Sequence, residues 1–120
     1  MTHEPPVGMS LDDARARLAY VDNTDYDTWL RVGMSLHHEF AASTDALALW
    51  DSWSQGAAQY KGLDDLEHRW QGFGRTGGRP TTARWLIKVG NAGERTAVRA
   101  QKRKLLSYND LLSLGIIKLR

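Results

Sequence analysis

Apolar side chains recur at steps of three and four along much of the chain, the spacing that places them on one face of an α-helix. The clearest such stripe runs from Tyr26 to Phe40. Thr24 and Asp27 stand at its start in a weaker form of the capping box, so a helix is predicted to begin there. Gly33 lies inside this helix, where glycine costs about 1 kcal/mol relative to alanine. We therefore expect another backbone or a bulky ring to approach Gly33 closely.

Four further stripes predict four more short helices. Their starts lie near Ser10, Ser43, Gly62 and Thr81 or Thr82. The last of these helices is expected to end at Gly90-Asn91, because glycine and asparagine commonly follow a helix end. Residues 94–106 combine good helix formers with five basic side chains and predict a basic helical tail. No segment alternates between apolar and polar positions as a hairpin strand does. The predicted fold class is therefore all-α: a compact bundle of about five short helices plus a basic C-terminal helical tail.

Length and flexible residues divide the chain into three parts. A chain of 120 residues is expected to form one domain. Residues 1–10 contain Pro5, Pro6 and Gly8 and predict a flexible arm. Residues 11–92 are expected to form the helix bundle, and residues 93–120 the basic helical tail. The five tryptophans are expected mostly in the core, since large rings fill a small bundle efficiently.

Composition excludes several classes of protein. The sequence contains no cysteine, which excludes disulfides and thiolate metal sites. No apolar run approaches the ~20 residues that a membrane span needs. The stretch from Met1 to Met9 lacks the basic start and the apolar core of a signal peptide. We therefore expect a cytoplasmic protein that does not contact a membrane.

Charge is distributed unevenly along the chain, although the net charge is only +2. Residues 1–67 hold twelve acidic and four basic side chains, whereas residues 68–120 hold two acidic and twelve basic ones. Such asymmetry is typical of a basic face or tail that meets a polyanion. A solvated surface on which charge is sorted by chance has the same pattern, so the charge alone leaves both interpretations open.

Two short motifs resemble catalytic or metal-binding sites, but neither has the residue spacing that such a site needs. Asp25 and Asp27 resemble the acidic pair of nucleotidyl transferases, but at a helix start residues two apart diverge. Favourable interaction with the helix dipole explains these acids. His37 and His38 are adjacent, whereas a metal-binding pair on a helix is spaced i, i+4. We predict no catalytic residue, no metal site and no cofactor.

The glycine-rich segment between residues 72 and 80 is the first candidate for nucleic-acid contact. It carries Arg75 and Arg79 just before a predicted helix N-terminus. Flexible backbone N–H groups and guanidinium groups at such a position suit phosphate contact. An ordinary solvated linker has the same composition, so this alternative stays open.

The second candidate is a stripe of basic side chains on the predicted fifth helix. Arg84 and Lys88 lie four residues apart, on the face away from Leu86 and Val89. Acidic residues are absent between positions 68 and 93, which favours a binding stripe over a plain solvent face. Tyr60 is added as a ring on which a base can stack if it is exposed. The candidate nucleic-acid-binding residues are Arg69, Arg75, Arg79, Arg84, Lys88, Lys61 and Tyr60.

An ordered series of motifs resembles the primase C-terminal 2 family. The run from Asp25 to Leu36, D-Y-D-x-W-x-x-V-G-M-x-L, looks like the opening motif of that family. It is followed by L-W-D-S-W-S at residues 49–54. The remaining matches are Tyr60, Trp70 with Phe73, and Thr81-Thr82 leading into Trp85-Leu86. The resemblance covers residues 11–92.

This resemblance implies a small helical bundle that follows primase-polymerase domains in replication proteins of phages, plasmids and mobile elements. It implies a non-catalytic accessory role in primer synthesis, in which the domain helps to bind single-stranded template DNA and the initiating nucleotide. The implied partners are that template, a nucleotide, and a primase-polymerase or helicase domain. Only ten residues precede the first predicted helix, so we expect no catalytic primase domain within these 120 residues.

The alternative function belongs to a different class. The acidic first half and the leucine-rich end of the chain are equally compatible with a protein-interaction or spacer domain. Such a domain would dock a catalytic primase or a helicase partner, with residues 105–119 as the docking segment.

Overall fold

Five α-helices make up the structure, a computed structural model that describes residues 5–73 and 81–113, with side chains as far as residue 103. The helices are α1 (Leu11–Leu18), α2 (Tyr26–Glu39), α3 (Thr44–Ser54), α4 (Leu63–Gly72) and α5 (Ala83–Ser113). No strand occurs in these ranges. The all-α fold class predicted from the sequence is thus confirmed. Within the same residues, no helix combines the length and the apolar character that crossing a membrane requires.

Short polar side chains start the first three helices. Ser10, Asp25 and Ser43 are the N-cap residues, and each accepts a hydrogen bond from the backbone N–H three residues later. These bonds satisfy N–H groups that have no partner within the helix. The prediction that Thr24 starts α2 was wrong, because Asp25 takes that role and Thr24 instead bonds to Asp22.

The core is built around α2, which packs against α3, α4 and α5. Trp29, Trp50 and Leu36 are its largest fully buried side chains. The absence of a side chain at Gly33 makes room for the indole ring of Trp50, since a methyl group at this position would lie 2.5 Å from that ring. The prediction that a bulky ring approaches Gly33 is confirmed. Leu63, the first residue of α4, is exposed.

The fifth helix is longer than predicted. Gly90 and Asn91 do not end it, because α5 continues without a break to Ser113. The glycines serve packing rather than termination. A methyl group at Gly90 would lie 3.3 Å from Cβ of Arg17, and one at Gly93 would overlap the backbone carbonyl oxygen of Tyr20. The absence of side chains at these two positions therefore lets α1 pack directly against α5.

Beyond this contact with α1, the described part of α5 is surrounded by solvent. All side chains from residue 94 to residue 103 are exposed. At 1.5 Å per residue, the 31 residues of α5 span about 46 Å. The exposed residues 94–103 therefore project past the bundle.

A buried carboxylate holds residues 7–9 against the end of α2. Glu39 is 7% exposed. Its two oxygens accept hydrogen bonds from the backbone N–H groups of Val7, Gly8 and Met9 at 2.7–2.8 Å. Hydrogen bonds to an ionised acceptor are stronger than neutral ones, so this carboxylate fixes the path by which the chain enters α1.

Replacing Glu39 with glutamine is expected to lower the free energy of unfolding by about 1–3 kcal/mol, because an amide leaves N–H donors of residues 7–9 without an acceptor. Urea unfolding measures this change, and amide hydrogen exchange at Val7 and Met9 should become faster. Glu67→Gln on the exposed face of α4 is the matched control, with a change within ±0.5 kcal/mol. Equal stability of the two variants would contradict the role of Glu39.

Candidate nucleic-acid interface

The five tryptophans belong to the core or pack against it. Trp29, Trp50 and Trp70 are at most 4% exposed, and the other two are partly buried against the same core. The ring centroids of Trp29 and Trp50 lie 5.1 Å apart, and those of Trp50 and Phe73 5.5 Å. Trp29 donates its indole N–H to the hydroxyl of Ser54 at 2.7 Å. The prediction that most of these rings are structural is confirmed.

Arg69 is held between α4 and the start of α2. Its Nε donates to Asp65 at 3.1 Å, and its Nη1 donates to the hydroxyl of Tyr26 at 2.9 Å. The guanidinium carbon lies 5.3 Å from the centroid of the Trp29 ring, within the range of a cation–π interaction. These contacts use part of the five-donor fork and fix its orientation. Arg69 therefore connects two helices, whatever else it binds.

Tyr60 and Lys61 lie in the segment between α3 and α4. The hydroxyl of Tyr60 donates to Asp51 at 2.7 Å, and this hydrogen bond raises the pKa of Tyr60 above its ordinary value. The Tyr60 ring is half-buried and packs against the core, so only part of its face is open for stacking. Lys61 is exposed.

Both flanks of the segment 74–80 are attached to the second half of α2. On one side, the ring of Phe73 lies 5.7 Å from that of His37. On the other, the carbonyl of Thr82 accepts a hydrogen bond from the hydroxyl of the buried Ser35 at 3.1 Å. Arg75 and Arg79 themselves lie outside the described residues.

Arg84 and Lys88 are the described candidates on α5. Both are exposed on the first turns of α5, whereas Leu86 between them is completely buried. The first turn of α5 contains no acidic residue. Neither cation takes part in an ion pair within the described ranges. Their positive charge is therefore available to a ligand on the outer face of α5.

Arg69 and the start of α5 contact different positions on α2. α4 and α5 both pack on α2, but Arg69 lies beside Tyr26 and α5 begins beside Ser35. These two positions on α2 are nine residues apart, about 13 Å along its axis. The sequence analysis named Arg69 together with Arg84 and Lys88 as candidate binding residues, and the described contacts do not bring Arg69 beside the other two.

Acidic residues surround the start of α2. Asp25 caps the helix, and hydrogen bonds from the backbone and the hydroxyl of Thr28 lower its pKa. Asp22 has a lowered pKa for the same kind of reason, since the hydroxyl and the backbone N–H of Thr24 donate to it. Both carboxylates thus remain ionised and make this end of the bundle unfavourable for phosphate.

The His37-His38-Glu39 motif is divided among different neighbours. The ring of His37 packs edge-on against Trp70 at 5.0 Å, and desolvation there lowers its pKa. Glu39 is occupied by backbone N–H groups of the N-terminal arm. Across the described positions, no three His, Asp or Glu side chains come together in a way that could hold a metal ion.

Sequence reasoning missed three further basic residues that the structure aligns with Arg84 and Lys88. Because α5 is continuous, Arg95, Arg99 and Lys102 lie on the same outer face. The pattern assigned them to a separate tail, since Gly90-Asn91 was taken as a helix end. The signal that could have found them is their spacing from Arg84, which is helical throughout.

The family model described as Primase C terminal 2 matches residues 14–89. No curated protein and no solved structure matched. The matched range begins within α1, includes α2 to α4 completely, and ends seven residues into α5.

Proposed function

Because the chain belongs to the primase C terminal 2 family, we propose that it is a non-catalytic accessory domain that binds single-stranded template DNA during primer synthesis. Membership associates the chain with primase replication proteins, in which this domain is the C-terminal accessory part and not the catalytic one. In this proposal, the domain works in a replication protein of a phage, a plasmid or a mobile element. It also helps to bind the initiating nucleotide. Its partner within such a protein is a primase-polymerase or helicase domain.

The observation that carries the proposal is the open basic face at the start of α5. Arg84 and Lys88 are exposed, and the segment that contains Arg75 and Arg79 directly precedes this helix. Arg84 lies in the first turn, where the helix dipole disfavours a cation and favours an anion. A phosphate at this position interacts favourably with both the dipole and the guanidinium group. Lys61 and the half-exposed Tyr60 are additional candidates for contact with the strand.

Titration of the protein with a fluorescent single-stranded oligonucleotide at several salt concentrations tests this proposal. Each neutralised phosphate contributes about −0.7 to the slope of log K against log salt, so four contacts give about −3. Replacing Arg75, Arg79 and Arg84 jointly with alanine is expected to weaken binding and to make the slope shallower by about 2.

Arg15→Ala provides the control, because Arg15 is exposed on α1 and already paired with Asp12 at 2.9 Å. This variant should keep both the affinity and the slope of the unmodified protein. Affinity that ignores salt, or a triple variant that binds as the unmodified protein does, would remove the template-binding proposal.

The second candidate function is that of a protein-interaction or spacer domain. The outer half of α5 favours it, since this half packs on nothing within the described residues and carries Val98 at 47% exposure. The two candidates differ in the titration. A protein-interaction domain shows no salt-dependent affinity for the oligonucleotide, whereas the template-binding domain does.

A further inference from the structure

Five exposed basic side chains form one row along α5. At 3.6 residues per turn, they fall within a sector of about 60° of the helix surface. The buried Leu86 and Gly90 lie on the opposite side. The row consists of Arg84, Lys88, Arg95, Arg99 and Lys102. Its first and last members are 18 residues apart along the helix, about 27 Å.

Three members of the row lie beyond the region that the family model matches, which ends at residue 89. Arg95, Arg99 and Lys102 belong to the projecting half of α5, where every described side chain is exposed. The register between them and Arg84 is fixed, because a single helix connects them. The basic row thus continues along one helix past the end of the region that the family model matches.

Neighbouring charges within the described residues do not neutralise this row. A solvent-exposed helix is usually stabilised by opposite charges at i, i+3 and i, i+4, and like charges at these spacings are destabilising. Arg95 and Arg99 are four residues apart, and Arg99 and Lys102 three. The one acidic residue nearby, Glu94, has no basic residue three or four positions away along the helix. The row therefore repels itself, and a polyanion would relieve that repulsion.

We propose that Arg95, Arg99 and Lys102 continue the phosphate-binding surface of Arg84 and Lys88, so that a DNA backbone runs along the outer face of α5. This inference rests on the proposed function and adds a second set of contacts outside the matched family region. Its ligand is a single strand. This is the template that the proposed function assigns, and the duplex serves as the comparison ligand in the experiment. Arg103, the remaining exposed basic residue in the described part of α5, lies about 40° outside the row.

The experiment compares three variants with the unmodified protein by fluorescence anisotropy, using a labelled single-stranded oligonucleotide and the corresponding duplex at several salt concentrations. The first variant is Arg95→Gln, Arg99→Gln, Lys102→Gln. The second is Arg84→Gln, Lys88→Gln. The third keeps the charges of the first set as Arg95→Lys, Arg99→Lys, Lys102→Arg. Far-UV circular dichroism establishes that each variant is folded, which the exposure of all substituted side chains leads us to expect.

Removing the three outer charges is expected to weaken single-strand binding at low salt at least about tenfold and to make the salt slope shallower by about 2. The charge-retaining variant should keep the slope of the unmodified protein. A larger loss for the duplex than for the single strand would overturn the assignment of the ligand.

The outcomes also separate this inference from the proposed function. If the unmodified protein binds with a salt slope and the outer triple variant binds equally well, the extension along α5 is wrong while template binding stands. If the unmodified protein does not bind even at low salt, both are wrong. Loss of affinity in both charge-removing variants supports both.

Discussion

Replacing Trp50 with alanine is expected to lower the free energy of unfolding by about 3–5 kcal/mol, the range for truncating a fully buried large aromatic side chain. Trp50 has no exposed surface, and its ring lies 5.1 Å from that of Trp29 and 6.0 Å from that of Trp70. Its indole N–H donates to the backbone carbonyl of Trp29, which would lose this partner. Urea unfolding followed by circular dichroism measures the loss.

Gly33→Ala, alone and combined with Trp50→Ala, tests whether the Trp50 ring packs directly on Gly33. In the unmodified protein the added methyl group meets the Trp50 ring at 2.5 Å, so overpacking is expected to cost about 1–3 kcal/mol. In the Trp50→Ala background the ring is gone, and alanine should instead stabilise α2 by up to about 1 kcal/mol through its helix propensity. Additive effects of the two substitutions would show that Gly33 and Trp50 are not in contact.

The second large effect is expected at Gly93, where substitution by alanine should lower the free energy of unfolding by about 3 kcal/mol, the upper end for overpacking. The new methyl group would overlap the backbone carbonyl oxygen of Tyr20. A backbone atom cannot move aside as a flexible side chain can, so α1 and α5 must separate. The hydrogen bond between Arg17 and Asn91, 3.0 Å long, would be weakened as well. Thermal unfolding measures the change.

Gly72→Ala is the control for Gly93→Ala, because Gly72 is also helical but has no neighbour within 4 Å of an added methyl group. This variant should be as stable as the unmodified protein or slightly more stable. If Gly93→Ala behaves in the same way, the direct packing of α1 on α5 described above is wrong, and with it the explanation of why α5 continues through its glycines.

The candidate interface could be predicted only where it depends on helix geometry. The outward position of Arg84 and Lys88 follows from their spacing relative to Leu86, and the structure has both exposed. Arg69 and Tyr60 carry no such local signal. Arg69 bonds to Tyr26, 43 residues away in sequence, and only the tertiary fold brings the two together. The binding role of all these residues stays a prediction.

By itself, the sequence determined the helical class and the starts of α1 and α3. Periodic apolar positions and the caps at Ser10 and Ser43 act within a few residues, so their outcome can be read without knowing the rest of the fold. The close approach of a ring to Gly33 could also be predicted from the sequence. A glycine inside an apolar helical stripe lowers helix stability, and tight packing must offset that loss.

Tertiary structure alone decided the length of α5 and thereby the extent of its basic face. A glycine at position 90 or 93 is compatible with a helix end or with close packing inside a helix. Local helix propensity favours a helix end, the first of these. The carbonyl of Tyr20 and the side chain of Arg17 occupy the space beside these glycines, so packing on α1 favours the second. Contacts between distant segments outweighed a local preference of about 1 kcal/mol per glycine, and the helix continues.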